Sequence, residues 1–165
     1  MTGEKICRDL DRLKETGEPL EAILERAVHL LHESHPKFHW TGIYELFPDD
    51  ILRLGTFVGA PTDHVFIGVG QGVCGTAVAE KRNINVPDVT KVSNYLACST
   101  ATKSELVVLI RLGEKIFAQI DVDSHELNAF DAASVDDVER VAAWLAEEYA
   151  RPRSAVDGPA ASHRS

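Results

Sequence analysis

The run Lys103-Ser-Glu-Leu-Val-Val-Leu-Ile-Arg-Leu-Gly-Glu-Lys-Ile-Phe-Ala-Gln-Ile-Asp-Val-Asp123 decides the fold. From Glu105 to Arg111 it is almost wholly apolar and rich in β-branched side chains, Leu112-Gly113 turns the chain, and Lys115 to Asp123 alternates. That pattern predicts an antiparallel hairpin. Side chains two apart on a strand share a face, so Phe117, Gln119, Asp121 and Asp123 fall on one side, with Ile116, Ala118, Ile120 and Val122 on the other. The apolar side must meet a layer of helices. Two carboxylates are therefore left on the opposite face.

Working outward, Phe38 to Leu46 alternates with period two, Pro48-Asp-Asp50 is turn chemistry, and Ile51 to Phe57 is extended again, which predicts a second hairpin. On its first strand Trp40, Gly42 and Tyr44 share a face, and the absent side chain at Gly42 is expected to leave space between two aromatic rings. Residues 19 to 34 place Leu20, Leu24, Ala27, Val28 and Leu31 on one helical face, stopped by Pro36. The stretch 59 to 72, broken by Pro61 and glycines, reads as a loop leading into a short helix, Val73 to Lys81. Asn83 to Val86 reads as a short strand and 87 to 103 as an irregular loop carrying Cys98. A final helix follows from Val135, Val138, Ala142, Leu145 and Tyr149, with Ser134-x-x-Asp137 as its expected capping box. The expected organisation is an N-terminal segment (1–17), one α+β domain (18–150) and a disordered tail (151–165), the last too poor in apolar residues to offset its ordering entropy.

The 165 residues are 44% apolar, enough for one core, and carry a net charge of −9. Nucleic acid and anionic membrane surfaces, which clustered Lys and Arg would hold, are excluded as expected partners. No apolar run is long enough to span a bilayer and the N-terminus has no signal-peptide pattern, so a cytoplasmic location is expected. Three cysteines, Cys7, Cys74 and Cys98, do not make a disulfide framework; in a reducing compartment they are thiols.

Two of those thiols and several carboxylates lie between Gly70 and Asp123, a combination that suggests thiol chemistry on a small substrate. A reacting cysteine acts as its thiolate, which a helix N-terminus or a cationic neighbour stabilises. Cys74 has the helix position but apolar neighbours that suggest burial, whereas Cys98 is in a loop with Lys103 close by. Cys7 reads as an uninvolved exposed thiol. If the two strand faces coincide, Trp40, Tyr44, Asp121 and Asp123 form an aromatic and acidic pocket suited to a small cationic or zwitterionic ligand. His29, His32 and His35, with His39 beyond, read as a solvated polar helix face, and no metal site is expected.

On the motifs His39-Trp40-Thr-Gly-Ile-Tyr44, Gly70-Gln-Gly-Val-Cys74-Gly-Thr-Ala77, Val86-Pro-Asp-Val89, Leu96-Ala-Cys98, Lys103-Ser-Glu105 and Ile120-Asp-Val-Asp123-Ser, the chain resembles the free methionine-(R)-sulfoxide reductases, a branch of GAF domains, over about residues 18 to 148. The resemblance implies an antiparallel sheet of five or six strands, with the N- and C-terminal helices on one face and a loop-covered pocket on the other, in a family that is often dimeric. It implies reduction of free L-methionine (R)-S-oxide, with Cys98 attacking the sulfoxide sulfur and becoming a sulfenic acid. Glu105, Asp121 and Asp123 match the family's acidic residues, which assist loss of oxygen; Trp40 and Tyr44 match its substrate-binding aromatic wall. No bound cofactor is implied, and the reductant would be thioredoxin, supplied by NADPH, or another thiol.

The chain departs from the family at one position. Where members carry a resolving cysteine ten residues before the position of Cys74, this sequence reads Pro61-Thr-Asp-His64-Val. Cys74 could resolve the sulfenic acid instead, an external thiol could attack it directly, or turnover could have been lost; His64 could also neighbour a thiolate as an imidazolium. The alternative reading is a non-catalytic GAF module for small-ligand binding or redox sensing.

Overall fold

The alternation in residues 104 to 124 is the centre of the sheet. A computed structural model describes residues 2–96 and 100–152. In it β5 (Ser104–Leu112) and β6 (Lys115–Ser124) pair antiparallel, with Glu105 opposite Asp123 and Val107 opposite Asp121. The other long hairpin is β1 (Trp40–Leu46) with β2 (Ile51–Val58), and β1 joins β6 through Trp40 opposite Asp123, Gly42 opposite Asp121 and Tyr44 opposite Gln119. Adding β3 (Phe66–Gly68) and β4 (Ile84–Val86) gives a six-stranded antiparallel sheet in the order β3-β2-β1-β6-β5-β4. Both expected hairpins and the short strand near residue 84 are present. The strand β3 lies inside a stretch read as loop; three residues at a sheet edge are too short for a periodic signal, and Ile67 is the inward residue that holds it.

One face of the sheet is covered by α1 (Thr2–Glu15), α2 (Leu20–Ser34) and α4 (Ala132–Ala150), which bury Ile6, Leu10, Leu24, Leu31, Val138 and Leu145 against Ile43, Val108, Ile120 and Val122. The charged N-terminal segment is thus a helix docked on α4. Cys7 is half-buried beside the Arg140 carbonyl rather than exposed, and burial together with Asp11 raises its pKa. The expected capping box on α4 is displaced: Asp131 caps the helix, accepting from the Ser134 amide at 2.8 Å. Asp137 instead accepts from the Gly3 amide at 2.9 Å and faces His35 Nε2 at 3.0 Å, tying α1 and the end of α2 to α4. The expected solvated histidine face is only partly present: His29 is exposed, whereas His32 and His35 are half-buried. His32 Nδ1 sits 3.1 Å from Thr41 Oγ1, and burial lowers its pKa; His39 stacks on His125 with centroids 4.2 Å apart.

The opposite face carries α3 (Gly72–Glu80) and buries Tyr44, Leu52, Ile67, Val73, Cys74, Val107 and Leu109. The expected division of β6 holds from Ala118 to Asp123 and fails before it. A bulge shifts the register between Ile110 and Arg111, so Phe117 turns to the helical face and stacks on Tyr149 at 5.7 Å, while Ile116 packs on the pocket face.

Candidate functional site

Two neighbouring strands place the acids by register alone. Asp121 and Asp123 of β6 point away from the helices because Ile120 and Val122 point toward them, and Glu105 of β5 lies directly across from Asp123. All three carboxylates are buried. Over this floor α3 brings Cys74 in its first turn, and two contacts fix that turn. Gln119, on the same strand face, donates from Nε2 to the Cys74 carbonyl at 3.0 Å. Gly75 lets the helix touch the preceding loop: a Cβ there would lie 2.4 Å from the Gly68 carbonyl oxygen and 2.9 Å from the Gly70 nitrogen.

The result is a narrow pocket lined by His64, Ile67, Gln71, Gly72, Val73, Cys74, Leu96, Glu105 and Asp121. The Cys74 thiol donates toward Glu105 Oε2 at 3.9 Å, and ligand atoms of Cys74, Glu105 and Asp121 all lie within 4.8 Å of one another. Asp121 is wholly buried, and loss of hydration raises its pKa above the usual carboxylate range; the Glu105 carboxyl and Cys74 thiol pull the other way without offsetting burial. Neither Asp121 oxygen makes a well-formed hydrogen bond among the described residues. Asp121 is therefore the group in this pocket suited to hold a proton and deliver it.

The expected aromatic wall stands on the same face, one strand over. Trp40 and Tyr44 are buried with ring centroids 6.4 Å apart. The space expected at Gly42 is not left open: the indole of Trp40 lies over that glycine, where a Cβ would come within 2.5 Å of Cη2, and stacks on Phe57 at 5.5 Å. Both polar tips reach into the following loop, Trp40 Nε1 donating to the Ala60 carbonyl at 2.9 Å and Tyr44 OH to the His64 carbonyl at 2.7 Å. These two bonds hold the 60–64 segment so that the half-buried His64 borders the pocket. The structure thus gathers Cys74, Glu105, Asp121 and His64 around one space, with Trp40, Tyr44 and Asp123 beside it. Cys98 lies outside the described residues. Sequence reasoning gave no site role to Gln119, although its strand position placed it on the face of the acids, nor to Gln71 and Leu96, which it quoted only as parts of motifs.

A GAF-domain profile matches residues 19–149. The free methionine-R-sulfoxide reductase of Escherichia coli (strain K12) is 35% identical over 125 residues, which is 76% of this chain and 74% of that protein. The chain belongs to the GAF domains, in the free methionine-R-sulfoxide reductase family. Among solved structures, fRMsr of Staphylococcus aureus in complex with substrate is similar to this GAF chain with a TM-score of 0.78 and 32% identity, over 90% of this chain and 95% of that one. A type II free methionine-R-sulfoxide reductase from Thermoplasma acidophilum is similar at a TM-score of 0.74 and 35% identity, over 78% and 90%.

Proposed function

We propose that this protein reduces free L-methionine (R)-S-oxide to L-methionine, with Cys98 as the nucleophile and the buried carboxyls as proton donors. The observation that carries the reading is Asp121: a wholly buried carboxyl, its pKa raised by desolvation, beside Glu105 in the wall of a pocket. Sulfoxide oxygen leaves sulfur only when it accepts a proton, and an acid whose pKa is raised toward the working pH is the group for that step. The Cys98 thiolate attacks the sulfoxide sulfur, the protonated oxygen transfers to the cysteine, and methionine departs with the sulfur electron pair. Cysteine loses the two electrons that the sulfoxide gains and is left as the sulfenic acid.

Recycling needs a second thiol. With His64 at the position of the family's usual resolving residue, we assign that role to Cys74, which lines the same pocket. Its thiolate attacks the sulfenic sulfur, water leaves, and the Cys74–Cys98 disulfide is reopened by an external dithiol such as thioredoxin, charged by NADPH. Trp40 and Tyr44 form the wall for the substrate's methyl end. The enclosed space is about 10 Å³, room for about one water. Substrate entry therefore requires the pocket lining to open. No described helix is long and apolar enough to cross a membrane, and the reading includes a cytoplasmic location and assembly as a homodimer.

The test is methionine formation from the free (R)-sulfoxide, with dithiothreitol and separately with thioredoxin, thioredoxin reductase and NADPH. Cys98→Ser is expected to be inactive with both reductants. Cys74→Ser is expected to complete one turnover and then stall with thioredoxin. Retained activity in Cys98→Ser would remove the assigned nucleophile, and no activity in the folded wild-type chain would favour a ligand-binding module.

A further inference from the structure

We propose that Cys74, Glu105 and Asp121 form a binding site for a thiophilic divalent cation, Zn2+ by its chemistry. Three donors of mixed softness, one sulfur and two carboxylates, come from three different elements and lie within 4.8 Å of one another, all buried. A second observation points independently to an occupant. Asp121, fully buried in the pocket wall, has both oxygens outside hydrogen-bond geometry, and the polar groups that act on it are the Glu105 carboxyl and the Cys74 thiol, the other two donors. A buried carboxyl left in that state costs free energy that a cation would recover.

Zinc bonds of about 2.0–2.3 Å place tetrahedral ligand atoms roughly 3.3–3.8 Å apart. The Cys74 sulfur and Glu105 Oε2 are already 3.9 Å apart, so the group needs to close by no more than about 1.5 Å at its widest separation. A water drawn from the pocket completes four-fold coordination. A thiolate with carboxylates favours zinc over magnesium or calcium, which take oxygen alone. Binding displaces the thiol proton and any proton held by the two carboxyls. The metal site does not rest on the reductase reading, but its consequence does: a cation held here occupies the proton donor and the resolving thiol together, so the reductase would be reversibly inhibited.

The experiment is titration of the reduced, chelator-treated full chain with Co2+, read by the near-ultraviolet thiolate-to-cobalt charge-transfer band, followed by displacement with Zn2+. One cation per chain and a band that survives in Cys98→Ser but disappears in Cys74→Ser are expected. Asp121→Asn is expected to weaken Co2+ binding by about tenfold or more. A missing band in the wild type, a band retained in Cys74→Ser, or wild-type affinity in folded Asp121→Asn would each overturn the site. Should Cys74→Ser fail to fold, judged by circular dichroism, Asp121→Asn and Glu105→Gln decide the question by affinity. Reductase activity is measured separately on the metal-free chain: an inactive chain that still binds Co2+ through Cys74 sinks the reductase reading and leaves the metal site standing.

Discussion

Replacing Asp121 by asparagine removes one titratable proton from the floor of the site while keeping its shape. The change is nearly isosteric, and the new amide can donate to Glu105, so the fold should persist. If Asp121 delivers the proton to the leaving oxygen, its loss should lower kcat/KM by about 10²–10⁴-fold, equivalent to ~2.7–5.4 kcal/mol of barrier. Stability should move the other way. Burial raises the folded-state pKa of Asp121 above its unfolded value, so between those two values the native protein holds a proton that the unfolded chain has released. In that window wild-type stability falls as pH rises, by about 1.4 kcal/mol for each tenfold difference in proton affinity. Asparagine has no proton to lose. The variant's stability relative to wild type should therefore be smallest in acid, grow as pH rises through the window, and level off above it. Taking the difference cancels the contributions of groups such as Asp88 and Asp131, whose depressed pKa values act in the opposite sense and at lower pH. Urea unfolding of both proteins across a pH series, with methionine formation measured in parallel, checks both arms. Near wild-type activity would refute the proton-donor role; a stability difference that shrinks with rising pH would refute the raised pKa.

Gly42→Ala should destabilise the domain by about 1–3 kcal/mol, since the added carbon would overlap the Trp40 indole and press on Phe57 Cβ at 3.0 Å; equilibrium unfolding measures this, and a neutral result would mean the indole rests elsewhere. Tyr44→Phe removes the bond to the His64 carbonyl, which should cost about 1 kcal/mol of stability and raise KM more than it lowers kcat, because the 60–64 loop borders the substrate's space. An unchanged KM would show that this loop does not shape the site.

What the sequence made legible followed from strict local periods. The i, i+2 rule placed Gln119, Asp121 and Asp123 on the pocket face, and the helical spacing of residues 20 to 31 and 135 to 149 placed the covering layer. The rule broke at Phe117 because one bulge residue inverts every side chain behind it, and a bulge leaves no mark in an alternating pattern. The docking of α1 was hidden by its composition: Ile6 and Leu10 are its only buried large apolar side chains, set among charges. The open space expected between the rings at Gly42 is filled by the Trp40 indole itself. The contact of Cys74 with Glu105 and Asp121 joins residues far apart in sequence, and only the sheet register makes them neighbours.

The double anchoring of Cys74 has a consequence for how the protein would carry an oxidation event. Its turn is pinned below by Gln119 and behind by the backbone against Gly75, so this sulfur has little freedom to travel. In any disulfide it enters, Cys74 is the stationary half, and all adjustment of length and angle falls on its partner's segment. Oxidation would then leave the sheet and α3 in place and fall on the connection that supplies the partner sulfur. The readiness with which an outside thiol reopens the bond would be a property of that connection, and changes to its composition would retune recycling without touching the acids that break the sulfur–oxygen bond.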